Sequence, residues 1–196
     1  MICTIVLAGG LSRRMGPDNK LAQDVAGKPL LDWAISAATH CKAETTIVVY
    51  GNWRPPTDDS TTLVHAPDAQ NGQSRSLAAG LIHADEIGAH AAIVLLGDMP
   101  LIRARDIDTI LDAATSQPDA IMRPSYDGTP GHPVYWPKWT FPNLIALHGD
   151  EGAKPFLKAH RQDVQVLDWA DDTVTFDVDT PSALDEARRR LALLKP

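Results

Sequence analysis

The sequence predicts an α/β fold, a single-domain, doubly wound and mostly parallel sheet with helices on both faces, and three observations carry that expectation. Apolar runs of strand length alternate with segments of helical periodicity along most of the 196 residues, the pattern of repeated β–α units. The clearest runs, Cys3-Thr4-Ile5-Val6-Leu7-Ala8 and Ala91-Ala92-Ile93-Val94-Leu95-Leu96, are continuously apolar, as strands buried on both faces of a parallel sheet are. The composition, 44% hydrophobic and 22% charged, is that of an ordinary folded domain. A chain of this length buries enough surface to fold as one unit over residues 1–196 without metal or disulfide staples.

In chain order, the first strand ends in a Gly-rich loop, after which Gly27-Lys28-Pro29 opens a helix with Leu30, Leu31, Ala34, Ile35 and Ala38 at helical spacing. Thr46-Ile47-Val48-Val49-Tyr50 is the second strand and Thr62-Leu63-Val64-His65 a weaker third. Residues 74–87 read as a helix with Leu77, Ala78, Leu81 and Ile82 on one face despite Gly80, and the strand at 91–96 follows. A helix over 104–115 aligns Ile107, Ile110, Leu111 and Ala114 and leads to a strand at 120–123. From Pro124 to Pro142 the chain is dense in Pro, Gly and aromatics, which predicts a long functional insertion around a short strand at 132–136. Helical patches at 144–147 and 152–160 precede strands at 163–167 and 173–176. Thr180-Pro181 then opens a last helix by the N-cap and first-turn rule, with Leu184, Ala187, Leu191 and Leu194 inward.

The balance of 18 Lys and Arg against 25 Asp and Glu, a formal charge of −7, argues against nucleic acid or an anionic membrane surface as a partner. An anionic ligand must therefore be held by a local positive cluster. Cys3 and Cys41 lack CxxC spacing and suggest neither a disulfide framework nor zinc, so a reducing cytoplasm is expected. The apolar run at 2–8 is too short for a signal peptide, and no stretch reaches the roughly 20 apolar residues that span a bilayer.

Ligands of such sheets bind beyond the carboxyl ends of the strands, and two loops there carry unusual chemistry. The first runs Leu7-Ala8-Gly9-Gly10-Leu11-Ser12-Arg13-Arg14-Met15-Gly16 and on to Lys20. Its glycines let backbone N–H groups approach a phosphate, and its arginines and lysine supply positive charge. It is neither a Walker A loop, because Gly27-Lys28 is followed by Pro29, nor a GxGxxG fingerprint. The second is Gly97-Asp98-Met99-Pro100, which sets a carboxylate at the edge of a central strand, and Asp177-Val178-Asp179-Thr180-Pro181 supplies another acidic edge. Carboxylates from two loops beside a basic glycine loop suit Mg²⁺. The competing reading has Asp98 capping its turn and Asp179 capping the last helix. None of the seven histidines forms HxH or HExxH, and the five tryptophans are scattered as packing residues, with Trp136 and Trp139 nearest the 124–142 segment.

Together these segments, with Gly131-His132-Pro133-Val134 and Gly149-Asp150-Glu151-Gly152-Ala153-Lys154, resemble the MobA-like nucleotidyltransferases, most closely their molybdenum cofactor cytidylyltransferase branch. The resemblance covers the whole chain in order and spacing. It implies a Rossmann-like transferase that joins a nucleoside monophosphate to a phosphorylated small-molecule acceptor, molybdopterin, and releases pyrophosphate. Carried over by position, Leu7, Ala8, Gly9 and Gly10 would hold the nucleoside, and Arg14 and Lys20 the triphosphate of CTP or GTP. Asn71, Gly72 and Ser74 would contact base or ribose. Asp98 with Asp179, or with Asp177 in its place, would hold Mg²⁺, so that Arg14, Lys20 and Asp98 carry the chemistry. Gly131, His132, Gly149 and Asp150 would shape the acceptor side. A transient contact with the molybdoenzyme that receives the product, or with its chaperone, also follows from the resemblance.

An acceptor phosphate is already nucleophilic at neutral pH, so positioning and charge neutralisation suffice. Two departures bear on substrate. Leu7-Ala8-Gly9-Gly10 has the form usual in the guanylyltransferase branch, where a glycine in place of alanine leaves room for a purine; the longer resemblance points to CTP. Lys154 stands where an arginine is common, which keeps the cation. A guanylyltransferase, a sugar-phosphate nucleotidyltransferase and a non-catalytic cofactor carrier are the alternatives, separated by whether pyrophosphate is released and with which acceptor.

Overall fold

The computed structural model describes residues 1–10, 19–149 and 152–193. Strand β1 (Ile2–Ala8) is followed by a short 3-10 turn (Lys20–Ala22) and a hairpin of β2 (Asp24–Val25) and β3 (Lys28–Pro29) that leads into helix α1 (Leu30–Thr39). Then come β4 (Thr45–Tyr50), β5 (Thr62–His65), α2 (Gln73–Glu86), β6 (Ala91–Leu96) and α3 (Ala104–Ser116). The second half holds β7 (Ile121–Tyr126), β8 (Thr129–Pro130), β9 (Val134–Pro137), α4 (Phe141–Ile145), α5 (Lys154–Ala159), β10 (Val164–Asp168) and α6 (Pro181–Ala192).

Among the described residues one sheet runs β10-β7-β9-β6-β1-β4-β5, with β8 paired to β7. Strand β1 lies between β4 and β6, parallel to both, and successive side chains point to opposite faces. Cys3, Ile5 and Leu7 enter one core with Leu77 and Leu81 of α2, Phe141 and Leu144 of α4, and Phe156 of α5. Val6 and Ala8 enter the other with Leu30 and Leu31 of α1, Ile107 and Ile110 of α3, and Leu184 and Leu191 of α6. Two-sided burial thus explains the unbroken apolar runs, and the fold is the Rossmann-like, mostly parallel α/β sheet expected. Gly80 has a packing reason: a Cβ there would lie 2.7 Å from Ile5 Cγ2 and 3.0 Å from Val49 Cγ2, so the glycine lets α2 settle on the sheet.

Two expectations are corrected. The segment 124–142 is largely sheet, because β9 inserts antiparallel between β6 and β7 and its residues Val134, Tyr135 and Trp136 are buried. Residues 173–176 are not a strand. The Asp171 carboxylate accepts from Thr173 N at 3.0 Å and starts a 3-10 helix, Asp172–Val174; the Thr-Val-Thr-Phe alternation mimics a strand, but the cap decides the local structure. Leu194, expected inward on α6, lies outside the described residues. No helix among the described residues is long and apolar enough to cross a membrane.

Candidate active site

The connections from β1 run in opposite directions across the sheet, to β4 on one side and β6 on the other, which opens a crevice at the carboxyl ends of β1 and β6. Leu7 and Leu96 are paired there, and Gly97 N donates to Leu7 O at 3.0 Å, so the first loop and the Asp98 turn leave the sheet side by side. Ala8 and Gly9 are buried and Gly10 is exposed. Gly9 is held by close approach: an added Cβ would press on Ser76 Oγ of α2 and lie 2.8 Å from Ala69 Cβ. The room expected for a purine is therefore filled by the protein itself. Arg14 lies outside the described residues.

Lys20 follows Asn19, whose side chain accepts from Leu21 N at 3.0 Å and turns the chain so that the Lys20 side chain points into the crevice. Its Nζ donates to Asp98 Oδ2 and to Asp179 Oδ1, both at 2.8 Å. The ammonium is almost enclosed, with its side chain 9% exposed, while Asp98 and Asp179 are 21% and 41% exposed. Burial pulls the Lys20 pKa down, but Asp98 and the hydrogen bonds to Asp179 and Asp98 outweigh it and hold it above the ordinary lysine value. Val178 N donates to Asp98 O at 3.0 Å, which ties the two acidic loops together and places Asp177 beside them. Burial first, then Asp179 and Asp98, raise the Asp177 carboxyl pKa. Of the four oxygens on Asp98 and Asp179, Asp98 Oδ1 is sealed from solvent and has no hydrogen-bond partner. The last helix is capped by Thr180, whose Oγ1 accepts from Ala183 N at 3.2 Å, and the Asp98 turn is closed by Met99 N donating to Leu96 O.

On the other face of the sheet, Asn71 is exposed and Gly72 precedes α2 with φ 126°. Ser74 is fully buried, and its Oγ donates to Gly149 O at 2.7 Å. The hydroxyl therefore fastens the 149 loop to α2. Gly131 N donates to Pro124 O and His132 N to Val174 O, both at 2.8 Å, so this turn is pinned between β7 and the 3-10 segment. Asp150 lies outside the described residues.

His132 faces a cavity between α2, α5 and the strands β6, β7 and β9. Burial, together with Arg123, drives its pKa down to about 4; the imidazole is neutral at neutral pH. Arg123, Gln73 and Trp136 line the same cavity, and Ser76 braces Gly9. Sequence reading missed the functional position of all four. Arg123 sits inside a strand between apolar neighbours, and only its charge in a run otherwise buried could have marked it.

Three comparisons bear on this arrangement. Residues 4–164 match the MobA-like NTP transferase domain. The purine catabolism protein PucB of Bacillus subtilis (strain 168) is 29% identical over 201 residues, covering 96% of each chain. A probable molybdenum cofactor guanylyltransferase of Mycobacterium avium (strain 104) is 31% identical over 125 residues, 63% of this chain and 62% of that one. Among solved structures, the homologue of Mycobacterium tuberculosis Rv0371c from Mycobacterium sp. strain JC1 superposes with a TM-score of 0.86 at 26% identity, covering 99% of this chain and 98% of that one. With its glycine loop, lysine and paired acidic edges gathered at one sheet rim, the chain belongs to the MobA-like NTP transferase family of nucleotidyltransferases.

Proposed function

We propose that this protein transfers the nucleoside monophosphate of an NTP, CTP in preference to GTP, to a phosphorylated acceptor of the molybdopterin class and releases pyrophosphate. The observation that carries the reading is the Lys20 ammonium held 2.8 Å from both Asp98 and Asp179, at the strand ends where the glycine loop emerges. A phosphate oxygen of the acceptor forms the new bond to the α-phosphorus, and the α–β bridging bond breaks with its electron pair going to pyrophosphate. The backbone of Ala8, Gly9 and Gly10 lines the nucleoside, Arg14 and Lys20 offset the charge that gathers on the leaving pyrophosphate, and no side-chain base is required.

The acidic edges fit a divalent cation. Asp98 Oδ1 is buried without a partner, an oxygen donor that a hard cation satisfies, and Asp179, or Asp177 in its place, completes a carboxylate pair of the kind Mg²⁺ takes with waters and substrate phosphates. When bound, such an ion neutralises phosphate oxygens at the reacting centre. Asn71 and Gly72 face the base or ribose, and Gly131, His132, Gly149 and Asp150 form the acceptor side, with Ser74 holding the 149 loop in place.

For the base, the resemblance along the chain favours CTP, and Ser76 and Ala69 remove the argument that Gly9 makes room for a purine. GTP is the second reading, favoured by the relationship to the mycobacterial guanylyltransferase. Pyrophosphate release is measured with each NTP, Mg²⁺ and a molybdopterin-type acceptor. Release with CTP well above GTP is expected; release with GTP alone changes the base, and release with none of the four removes the enzymatic reading in favour of a carrier.

A further inference from the structure

The cavity around His132 contains an electrostatic mismatch that the nucleotide side does not explain. In a chain of net charge −7, its lining includes Arg123, Lys154 and His132 and not one Asp or Glu. Arg123 is half-buried on β7, its Nε donates to Gly131 O at 3.3 Å, burial pushes its pKa down, and no carboxylate among the described residues forms an ion pair with it. A guanidinium withdrawn from water without a counter-ion is unfavourable. His132 presents a second unmet demand: Nδ1 is sealed from solvent and unpartnered. The ring's hydrogen bond to the Val94 backbone favours its protonated form, so the ring is the donor there and Nδ1 of the neutral imidazole is a bare acceptor. Beneath these groups Leu7, Leu77 and Trp136 form an apolar floor. Leu7 is also the strand residue whose carbonyl accepts from Gly97, the neighbour of Asp98, so the cavity opens beside the acidic edge.

We propose that this cavity seats the acceptor as a phosphate monoester carried on a flat ring, with Arg123 and Lys154 on the phosphate, Trp136 and the leucines under the ring, and His132 Nδ1 accepting from a ring N–H or O–H. The proposal rests on the nucleotidyltransferase reading and states what its acceptor must offer: an anion, an apolar plane and a hydrogen-bond donor. Arg123 and Lys154 are then specificity-determining residues for the acceptor. They do not hold the NTP, whose triphosphate belongs to the Lys20 side.

The test uses the full chain, Mg²⁺ and a non-hydrolysable α,β-methylene analogue of CTP or GTP to fill the nucleotide site, followed by calorimetric titration with three probes. These are indoxyl phosphate (ring, N–H and phosphate), phenyl phosphate (no ring donor) and inorganic phosphate (anion alone). Indoxyl phosphate is expected to bind most tightly, with inorganic phosphate weaker by about tenfold or more, near 1.4 kcal/mol. Lys154→Gln, at an exposed helix start that tolerates the change, and Arg123→Gln are each expected to weaken indoxyl phosphate about tenfold and leave the analogue's affinity unchanged. His132→Leu is expected to abolish the preference for indoxyl over phenyl phosphate. Absence of indoxyl phosphate binding up to about 10 mM, or equal binding by wild type and Lys154→Gln, overturns the proposal. Failure of both analogues to bind refutes the nucleotidyltransferase reading instead, and the phosphate titration on the free chain then judges the cavity by itself.

Discussion

Two polar groups occupy opposite faces of one sheet rim and handle buried charge in contrasting ways. On the face of α1, α3 and α6, among Leu21, Met99 and Val178, an ammonium is clasped by two carboxylates, with a third nearby, and the cluster supplies its own counter-charge. On the face of α2, α4 and α5, among Leu7, Leu77 and Trp136, a guanidinium, an ammonium and a neutral imidazole share a cavity without any acidic side chain among its lining residues. A self-compensated cluster stays assembled with no ligand and exchanges one cation for another; an uncompensated one is completed by what enters it. The contrast suits a transferase in which the nucleotide side handles charge as it develops and the acceptor side selects a molecule.

The largest effect expected is on the clasped side. Asp98→Asn removes a carboxylate that touches Lys20 and leaves the fold intact, because only the turn rim carries it. If the cation it helps to hold contributes on the order of 3–4 kcal/mol to the transition state, turnover falls several hundred-fold. Pyrophosphate release by a variant with unaltered circular dichroism measures this, and near-normal turnover would refute the role given to Asp98.

Next in size is a difference in pH response, because the two sides carry opposite signs. The folded pKa of His132 is about 4 against an ordinary 6.5, so between these values the unfolded chain binds a proton that the folded chain refuses. Stability falls as pH drops through that window, by about 3 kcal/mol at full extent. Asp177 behaves inversely. Its raised carboxyl pKa lets the folded chain take up a proton first, so its share of stability grows as pH falls toward the ordinary carboxylate value. Lys20, with its pKa raised, contributes fully below the ordinary lysine value and loses that contribution only as pH rises through its folded pKa. Urea unfolding of wild type and His132→Leu at pH 4.5 and 7 separates the sides: the variant is expected to lose most of the acid-induced decline, and an identical decline in both would place the acid sensitivity elsewhere.

Much of this contrast was open to sequence reading on one side and closed on the other. Asp98, Asp179 and Lys20 sit in glycine- and proline-marked loops after apolar strands, where a carboxylate or lysine has no packing role to explain it. Arg123 was hidden because its neighbours Ile121, Met122 and Pro124 read as ordinary strand, and the absence of acids around it is a three-dimensional fact. The antiparallel entry of β9 was obscured for a related reason: its four residues carry a proline at one end and follow a Gly-His-Pro turn, so local signals read as loop while cross-sheet burial makes a strand. The opposite error at residues 173–176 came from trusting alternation over a single aspartate cap.

A smaller effect separates Lys20 from a fixed structural ion. The Lys20→Met variant leaves the gap between Asp98 and Asp179 without its ammonium, so Mn²⁺ added in the absence of nucleotide is expected to bind about tenfold more tightly than to wild type, near 1.4 kcal/mol. Affinity for every NTP should fall alike, with base preference unchanged. Electron paramagnetic resonance counts free Mn²⁺ directly. Equal metal affinity in both proteins would show that the ammonium and the metal do not compete for one place.

The finest test asks whether the two sides are mechanically independent. Gly9 leaves β1 between them, and the direction of its missing Cβ is toward Ser76 and Ala69, that is, toward α2, which also supplies Gln73 and Leu77 to the cavity. Gly9→Ala therefore overpacks the cavity side, at a cost of about 1–3 kcal/mol. Ser76→Ala removes the Oγ that the new methyl presses on and leaves Ser76 Cβ at an ordinary 3.5 Å, so the double variant should recover about 1 kcal/mol of the loss, the remainder belonging to Ala69. Denaturant unfolding of the four proteins gives the coupling. Mn²⁺ affinity at the clasped side should be the same in all four, because no atom of Lys20, Asp98 or Asp179 lies in that contact. A base preference measured in Gly9→Ala alone would confound pocket size with displacement of α2, and the double variant is where the CTP and GTP rates are to be compared. Additivity of the two substitutions, or a metal affinity that follows Gly9→Ala, would join what the sheet divides.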